Sequence, residues 1–234
     1  MGFYYYDYTY FLFLAPALLI SIAAQIGVHT TFRKYSHVTN RRFLTGEGAA
    51  QRVLQYGRVM DVSIQRVGGS LTDFFNPHNK TIALSDSVFG LATVSAVGVA
   101  AHEAGHAIQH AQGYLPIKIR NALVPVVNLT SNLAMPLVVL GLLLPVKYDF
   151  VVFIGMALYG FAVLFSLVTL PVEFNASRRA IRALRDTGAL DPDELKGAKR
   201  VLQAAAMTYV ASTLTALLSF FRLVLIAGNR RGNE

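Results

Sequence analysis

Four apolar stretches, each near the roughly 20 residues needed to cross a bilayer, punctuate the chain at Tyr8 to Val28, Val126 to Val146, Phe150 to Val172 and Ala204 to Ala227. The first and third carry no charge, the second is interrupted by Pro136 and Pro145, and the fourth contains Arg222. Asp7 stands where a secretory leader has a basic segment, so the first stretch reads as an uncleaved anchor. The aromatic start, Phe3, Tyr4, Tyr5, Tyr6, Tyr8 and Tyr10, fits an interfacial belt.

Between the first two stretches the pattern changes to that of a water-exposed domain. Gly46 to Gly57 (GEGAAQRVLQYG) predicts a short helix closed by glycine, and Val62 to Val67 alternates as a strand does. Ser70 to Phe75 and Thr81 to Leu84 flank the turn-forming Asn76-Pro77-His78-Asn79-Lys80, which predicts a hairpin. The small, apolar run Val88 to Ala101 then leads into a buried helix. Further on, Asp191 and Pro192 predict an N-cap and first position of another helix.

Composition agrees with the spans: 54% of residues are hydrophobic, 15% are charged, and mean hydropathy is +0.46. A soluble domain carries about 25% charged residues. Of the 21 lysines and arginines, ten lie in 29–128 and seven in 173–203, while the loop between the second and third spans has Lys147 alone. The positive-inside rule therefore predicts an outside N-terminus and cytoplasmic polar segments, although Arg230 and Arg231 then fall outside. The net charge of +8 reads as topology and contact with anionic lipid, with no nucleic-acid partner. Without cysteine, any metal must be held by His, Asp or Glu.

The chemistry concentrates at His102-Glu103-Ala104-Gly105-His106 (HEAGH). Residues four apart share a helix face, so His102 and His106 can hold one zinc ion together. Glu103, about 100° round the helix, is placed to act as general base toward a water activated by Zn2+. The bland alternative is two ordinary histidines on a buried helix. A catalytic zinc needs a third protein ligand. Gln109 and Gln112 stand where a longer histidine motif would need the next residues, and His110 lies on the same straight helix, from which three ligands splay. Glu173 is the only acidic residue between Phe150 and Arg185, at the end of an apolar span, where an ionisable group requires a partner. That partner is the metal, or else Arg178 or Arg179.

Glu173-Phe174-Asn175-Ala176-Ser177-Arg178 resembles the ExxAD-R element that follows HExxH in membrane gluzincins of the heat-shock and CAAX-prenyl types. The resemblance implies Glu173 as third zinc ligand. Three blocks, SLTDFFNPHNKTIALSD, VAAHEAGHAIQHAQGY and LPVEFNASRRAI, are similar to the YugP-like neutral zinc metallopeptidases of bacterial membranes, across nearly the whole chain. Ser177 replaces the aspartate of the wider pattern, which leaves the partner of the zinc-bound imidazoles open to Ser177, Asp73 or Asp86. Arg178 matches the family arginine and either steadies transition-state charge or joins Arg179, Arg182 and Arg185 on a lipid-facing basic surface. No Asp lies between Asp149 and Asp186, so the ligand signature of intramembrane site-two-type proteases is missing.

The expected fold is a multi-pass α-helical membrane protein with a small α+β zincin-like (gluzincin) catalytic domain. Its parts are an anchor (1–28), a cytoplasmic domain with strands and the HExxH helix (29–125), a transmembrane hairpin (126–172), a third-ligand helix with a basic segment (173–203) and a C-terminal membrane segment (204–234). The expected function is a zinc metalloendopeptidase acting on peptide or protein substrates, membrane proteins among them, at the cytoplasmic face of a bacterial plasma membrane. The alternative from another class is a non-proteolytic metal-binding scaffold or chaperone; Glu103 discriminates, because a structural zinc site has no use for a base.

Overall fold

A computed structural model describes residues 10–232; the tyrosine-rich start before Tyr10 lies outside the described residues. The chain is mostly helical, with a small three-stranded sheet. After a π-helical turn at Tyr10–Leu14, the order is α1 (Ala15–Ser36), α2 (Gly46–Tyr56), β1 (Ser63–Val67), β2 (Phe74–Asn76), β3 (Thr81–Ser85) and α3 (Val94–Ala111). Then follow α4 (Leu115–Leu143), a 3-10 turn (Val146–Tyr148), α5 (Phe150–Asp186) and α6 (Pro192–Gly232). Among the described residues four helical stretches are long and apolar enough to cross a membrane: Phe11–Ser36, Leu115–Leu143, Phe150–Asp186 and Pro192–Asn229. Each contains most of one expected span but runs on into polar sequence, the helix continuing through Gly27 in α1 and through Pro171 in α5. Pro125 and Pro136 are both accommodated inside α4.

The chain divides into two compact units, and the first comprises residues up to Ala23, Ile119–Leu170 and Tyr209 onward. Within it, α4 and α5 approach through glycine. A Cβ on Gly141 would lie 2.7 Å from the Val152 nitrogen, and one on Gly155 would lie 2.8 Å from the Val138 nitrogen. Small residues permit such backbone contact between apolar helices, where dispersion must replace the hydrophobic effect. Ser21 and Thr215 hydrogen-bond at 3.1 Å in the same unit.

The second unit, Ala24–Lys118 with Pro171–Thr208, is built around α3. Fourteen of this helix's 18 residues are buried, and its Ala, Gly and Val side chains let neighbours close in on every side, as an all-round apolar helix requires. Thr93 caps its start, accepting from the Ala96 nitrogen. The adjoining core includes Val53, Leu54, Ile82, Leu84, Leu184 and Val201.

The expected hairpin forms: β2 and β3 pair antiparallel with Phe75 opposite Ile82, and the Asn76 carboxamide accepts from the His78 nitrogen in the turn. The expected strand at Val62 to Val67 is β1, beginning at Ser63. It pairs parallel with β3, giving the order β1-β3-β2 and leaving β3 buried throughout between two edge strands. The start of α6 at Pro192 carries a capping box, in which Glu194 accepts from the Asp191 nitrogen at 2.9 Å. The other Glu194 oxygen accepts from the Arg41 nitrogen at 2.8 Å, tying the segment after α1 to α6.

Candidate metal centre

One turn of α3 separates His102 from His106, and their rings meet edge to face with centroids 4.6 Å apart. Both Nε2 atoms turn toward Glu173 of α5, whose side chain is only 2% exposed. The three donor atoms form a triangle: 3.1 Å between the two Nε2 atoms, 3.2 Å from His102 to the Glu173 Oε2, and 3.5 Å from His106 to the same oxygen. A tetrahedral zinc ion with bonds of about 2.0–2.1 Å spaces its donors about 3.3–3.4 Å apart. The triangle straddles that spacing. Two imidazole nitrogens and a carboxylate oxygen aimed at one point are also the donor chemistry zinc prefers, and without a shared cation or proton their lone pairs repel. The residues present therefore fit zinc.

Gly105 makes this convergence possible. A Cβ there would lie 2.6 Å from the Ala176 carbonyl oxygen, so α3 and α5 touch backbone to backbone between the ligands. Gly105→Ala gains about 1 kcal/mol in helix propensity but forces two helix backbones apart, and overpacking of a tight core costs about 1–3 kcal/mol. The variant is expected to melt at a lower temperature and to bind zinc more weakly. Gly27→Ala is its counterpart on α1, where an added Cβ meets nothing within 4 Å, and should melt no lower than wild type. A Gly105→Ala protein as stable and as metal-loaded as wild type would refute the packing argument.

The outer nitrogens of the two rings are also held. Ser177 Oγ lies 3.1 Å from His102 Nδ1, and Gln109 Oε1 lies 3.0 Å from His106 Nδ1. Gln109 Nε2 donates to the Val172 carbonyl at 2.8 Å and to Asn175 Oδ1 at 3.0 Å. Arg179 Nε donates to the same Asn175 oxygen at 2.6 Å and its guanidinium also reaches Gln112 Oε1. This chain fixes orientation. With its nitrogen facing two acceptors, Gln109 must present oxygen to His106, so His106 Nδ1 carries the hydrogen and Nε2 is left free for a metal.

The other candidates fall elsewhere. Asp73 accepts from the Ser85 nitrogen and hydroxyl, pinning β3. Asp86 accepts from Arg66 and the Gly69 nitrogen. Neither partners an imidazole; Ser177 and Gln109 do. His110 is exposed, its ring 5.9 Å from that of Phe75. Arg178 is exposed too, and five residues along α5 place it about 140° round the helix from Glu173. That sets it on the basic surface, away from the ligand face. Arg179 corrects the expected lipid-facing role, because it turns in to Asn175 and Gln112. Gln109, Asn175 and Arg179 carried a faint signal in the sequence: Gln109 is three residues past His106, and Arg179 four past Asn175, both same-face spacings.

Glu103 is buried beside the cluster, and burial pushes its carboxyl above the ordinary value, with the charges of His102 and His106 opposing the shift. Burial resists protonation of His106, but the hydrogen bond to the Glu173 carboxylate and the charges of Glu103 and Glu173 together outweigh it and hold the imidazole above its ordinary value in the metal-free protein. A proton there competes with the metal. Zinc affinity is therefore expected to fall as pH drops through that raised value, by about tenfold per pH unit for one displaced proton. Competition against a chromophoric chelator from pH 8 to pH 6 measures this, and a flat profile would exclude His106 as a ligand.

Residues 10–228 match the family described as "Putative neutral zinc metallopeptidase". The chain is 40% identical over 222 residues to a Bacillus subtilis (strain 168) protein named "Putative membrane protease YugP", covering 94% of this chain and 98% of the relative. No solved structure matches it. The chain belongs to this neutral zinc metallopeptidase family.

Proposed function

We propose that the protein is a membrane zinc metalloendopeptidase of gluzincin type, with a zincin-like catalytic unit. The observation that carries the reading is the donor triangle of His102, His106 and Glu173 with Glu103 buried next to two of its members. Zinc held there supplies Lewis-acid polarisation of the scissile carbonyl and acidifies a water molecule. Glu103 takes the proton from the attacking water and passes it to the departing amine nitrogen. Its burial supports both halves of this task, since a carboxyl with a raised pKa exchanges protons more evenly near neutral pH. Ser177 and Gln109 hold the imidazoles in register, and Asn175 and Arg179 hold Gln109.

Purified, zinc-loaded protein should cut an unfolded polypeptide at internal bonds, lose this activity to a chelator, and regain it with zinc. Cutting that persists after the metal is stripped would sink the reading. Bound zinc without cutting of unfolded or membrane-protein substrates would favour a scaffold.

The concentration of basic residues in 29–128 and 173–203 supports placing the catalytic unit at the cytoplasmic face of a bacterial plasma membrane. Because the chain has no cysteine, Lys147→Cys introduces a single thiol. A membrane-impermeant maleimide applied to intact cells should label it; labelling only after lysis would reverse the orientation.

A further inference from the structure

A recess of about 410 Å³ opens between α5 and α6 within the second unit. Arg178, Arg182, Arg185 and Lys199 line it, with Phe174, Ile181, Leu202 and Ala206 supplying an apolar floor. Arg185 pairs with Asp186 at 2.9 Å, whereas Arg178, Arg182 and Lys199 form no ion pair among the described residues. Three cations without an ion-pair partner around one recess favour an anion that offsets their mutual repulsion, and Phe174, 41% exposed, offers it an apolar face.

The order of residues along the two helices narrows the ligand. Phe174 and Ala206 lie at the ends of their segments that continue, by Leu170 and Tyr209, into the apolar stretches of α5 and α6. Arg185 and Lys199 lie at the opposite ends, about 16 Å further along α5 and about 10 Å further along α6 at 1.5 Å per residue. Arg178 and Arg182 stand between. The groove is thus apolar toward the membrane-capable segments and cationic away from them, the polarity of a phospholipid whose chain enters the bilayer. A soluble acidic peptide has no such gradient to match.

We propose that this groove is a binding site for one anionic phospholipid, with its phosphate among Arg178, Arg182 and Lys199 and the start of an acyl chain against Phe174, Ile181 and Leu202. The site also shares Ser177 with the metal centre, so the bound lipid lies against the residue that holds His102. The proposal concerns binding alone and does not depend on the peptidase reading.

The test is native mass spectrometry of the full chain in mild detergent, with equimolar phosphatidylglycerol and phosphatidylcholine of identical acyl chains. Wild type should retain phosphatidylglycerol at least about fivefold over phosphatidylcholine, the preference one basic residue confers near an anionic surface. Arg182→Gln with Lys199→Gln should bring the ratio to parity. Arg52→Gln with Arg66→Gln, an equal loss of charge on α2 and β1, should leave it intact. Gln203→Trp, an exposed position on the groove wall, should block the lipid by filling the recess without removing a cation, and serves if the charge variant fails to fold. Equal retention of the two lipids by wild type would overturn the proposal. So would a preference that survives the groove variants or vanishes equally with the α2 and β1 pair. Displacement of the lipid by millimolar glycerol 3-phosphate or by a soluble acidic peptide would replace it with a small-anion or peptide site.

Discussion

Glu103→Gln is expected to keep a full complement of zinc and lower turnover of an unfolded substrate by about a hundredfold to ten-thousandfold, the range a positioned general base contributes. The carboxamide fills nearly the same volume, so the buried position beside the cluster stays packed. It removes only the ability to take a proton. Because Glu103 is not one of the three converging donors, metal content and melting temperature should stay near wild type. Zinc analysis, a thermal melt and initial rates on one preparation separate the cases. Equal rates in both proteins would mean a contaminating protease, and a parallel loss of zinc would mean that Glu103 is a ligand.

Glu173→Ala should have the larger effect on metal. Losing an outer partner such as Gln109 typically weakens metal binding about 10- to 100-fold, and losing one of three donors should exceed that. The substitution also removes the anion that contacts both Nε2 atoms, leaving two imidazole nitrogens 3.1 Å apart without it. The raised pKa of His106 should fall, since burial opposes protonation and the hydrogen bond and charge of Glu173 are among the influences that offset it. In the metal-free protein, a group with a raised folded pKa stabilises below its unfolded value and ceases to do so as pH rises through the folded one. The stability difference between wild type and Glu173→Ala without metal should therefore be larger at pH 6 than at pH 8. A variant that still binds one zinc per chain at wild-type affinity would send the third-ligand assignment elsewhere.

Much of this site was legible in residue order. HEAGH places two imidazoles on one face with a carboxylate beside them because the periodicity of a helix turns sequence spacing into a shared face, and no tertiary information is needed for that. The hairpin around Asn76 to Lys80 was legible for the same reason: turn residues act locally. The pairing of β1 with β3 was not, since parallel strands are joined by distant contacts that no local pattern records. Asp73 and Asp86 looked suitable as partners of the imidazoles by charge alone, yet each is committed to a local contact around β3. Gln109, set aside as a ligand, holds the ring of His106.

By itself the sequence determined the four membrane-capable segments, the helix carrying His102, Glu103 and His106, and the donor types open to a metal in a chain without cysteine. Each follows from properties of neighbouring residues: apolar length, helical spacing, side-chain chemistry. Only the tertiary structure decided that Glu173, 67 residues beyond His106, completes the triangle, that Ser177 and Gln109 orient the rings, and that Arg179 turns inward while Arg178 faces out. Those outcomes depend on how closely α3 meets α5 and at what rotation. That contact is set by the missing side chain of Gly105 against the Ala176 carbonyl, a fit between two surfaces far apart in sequence.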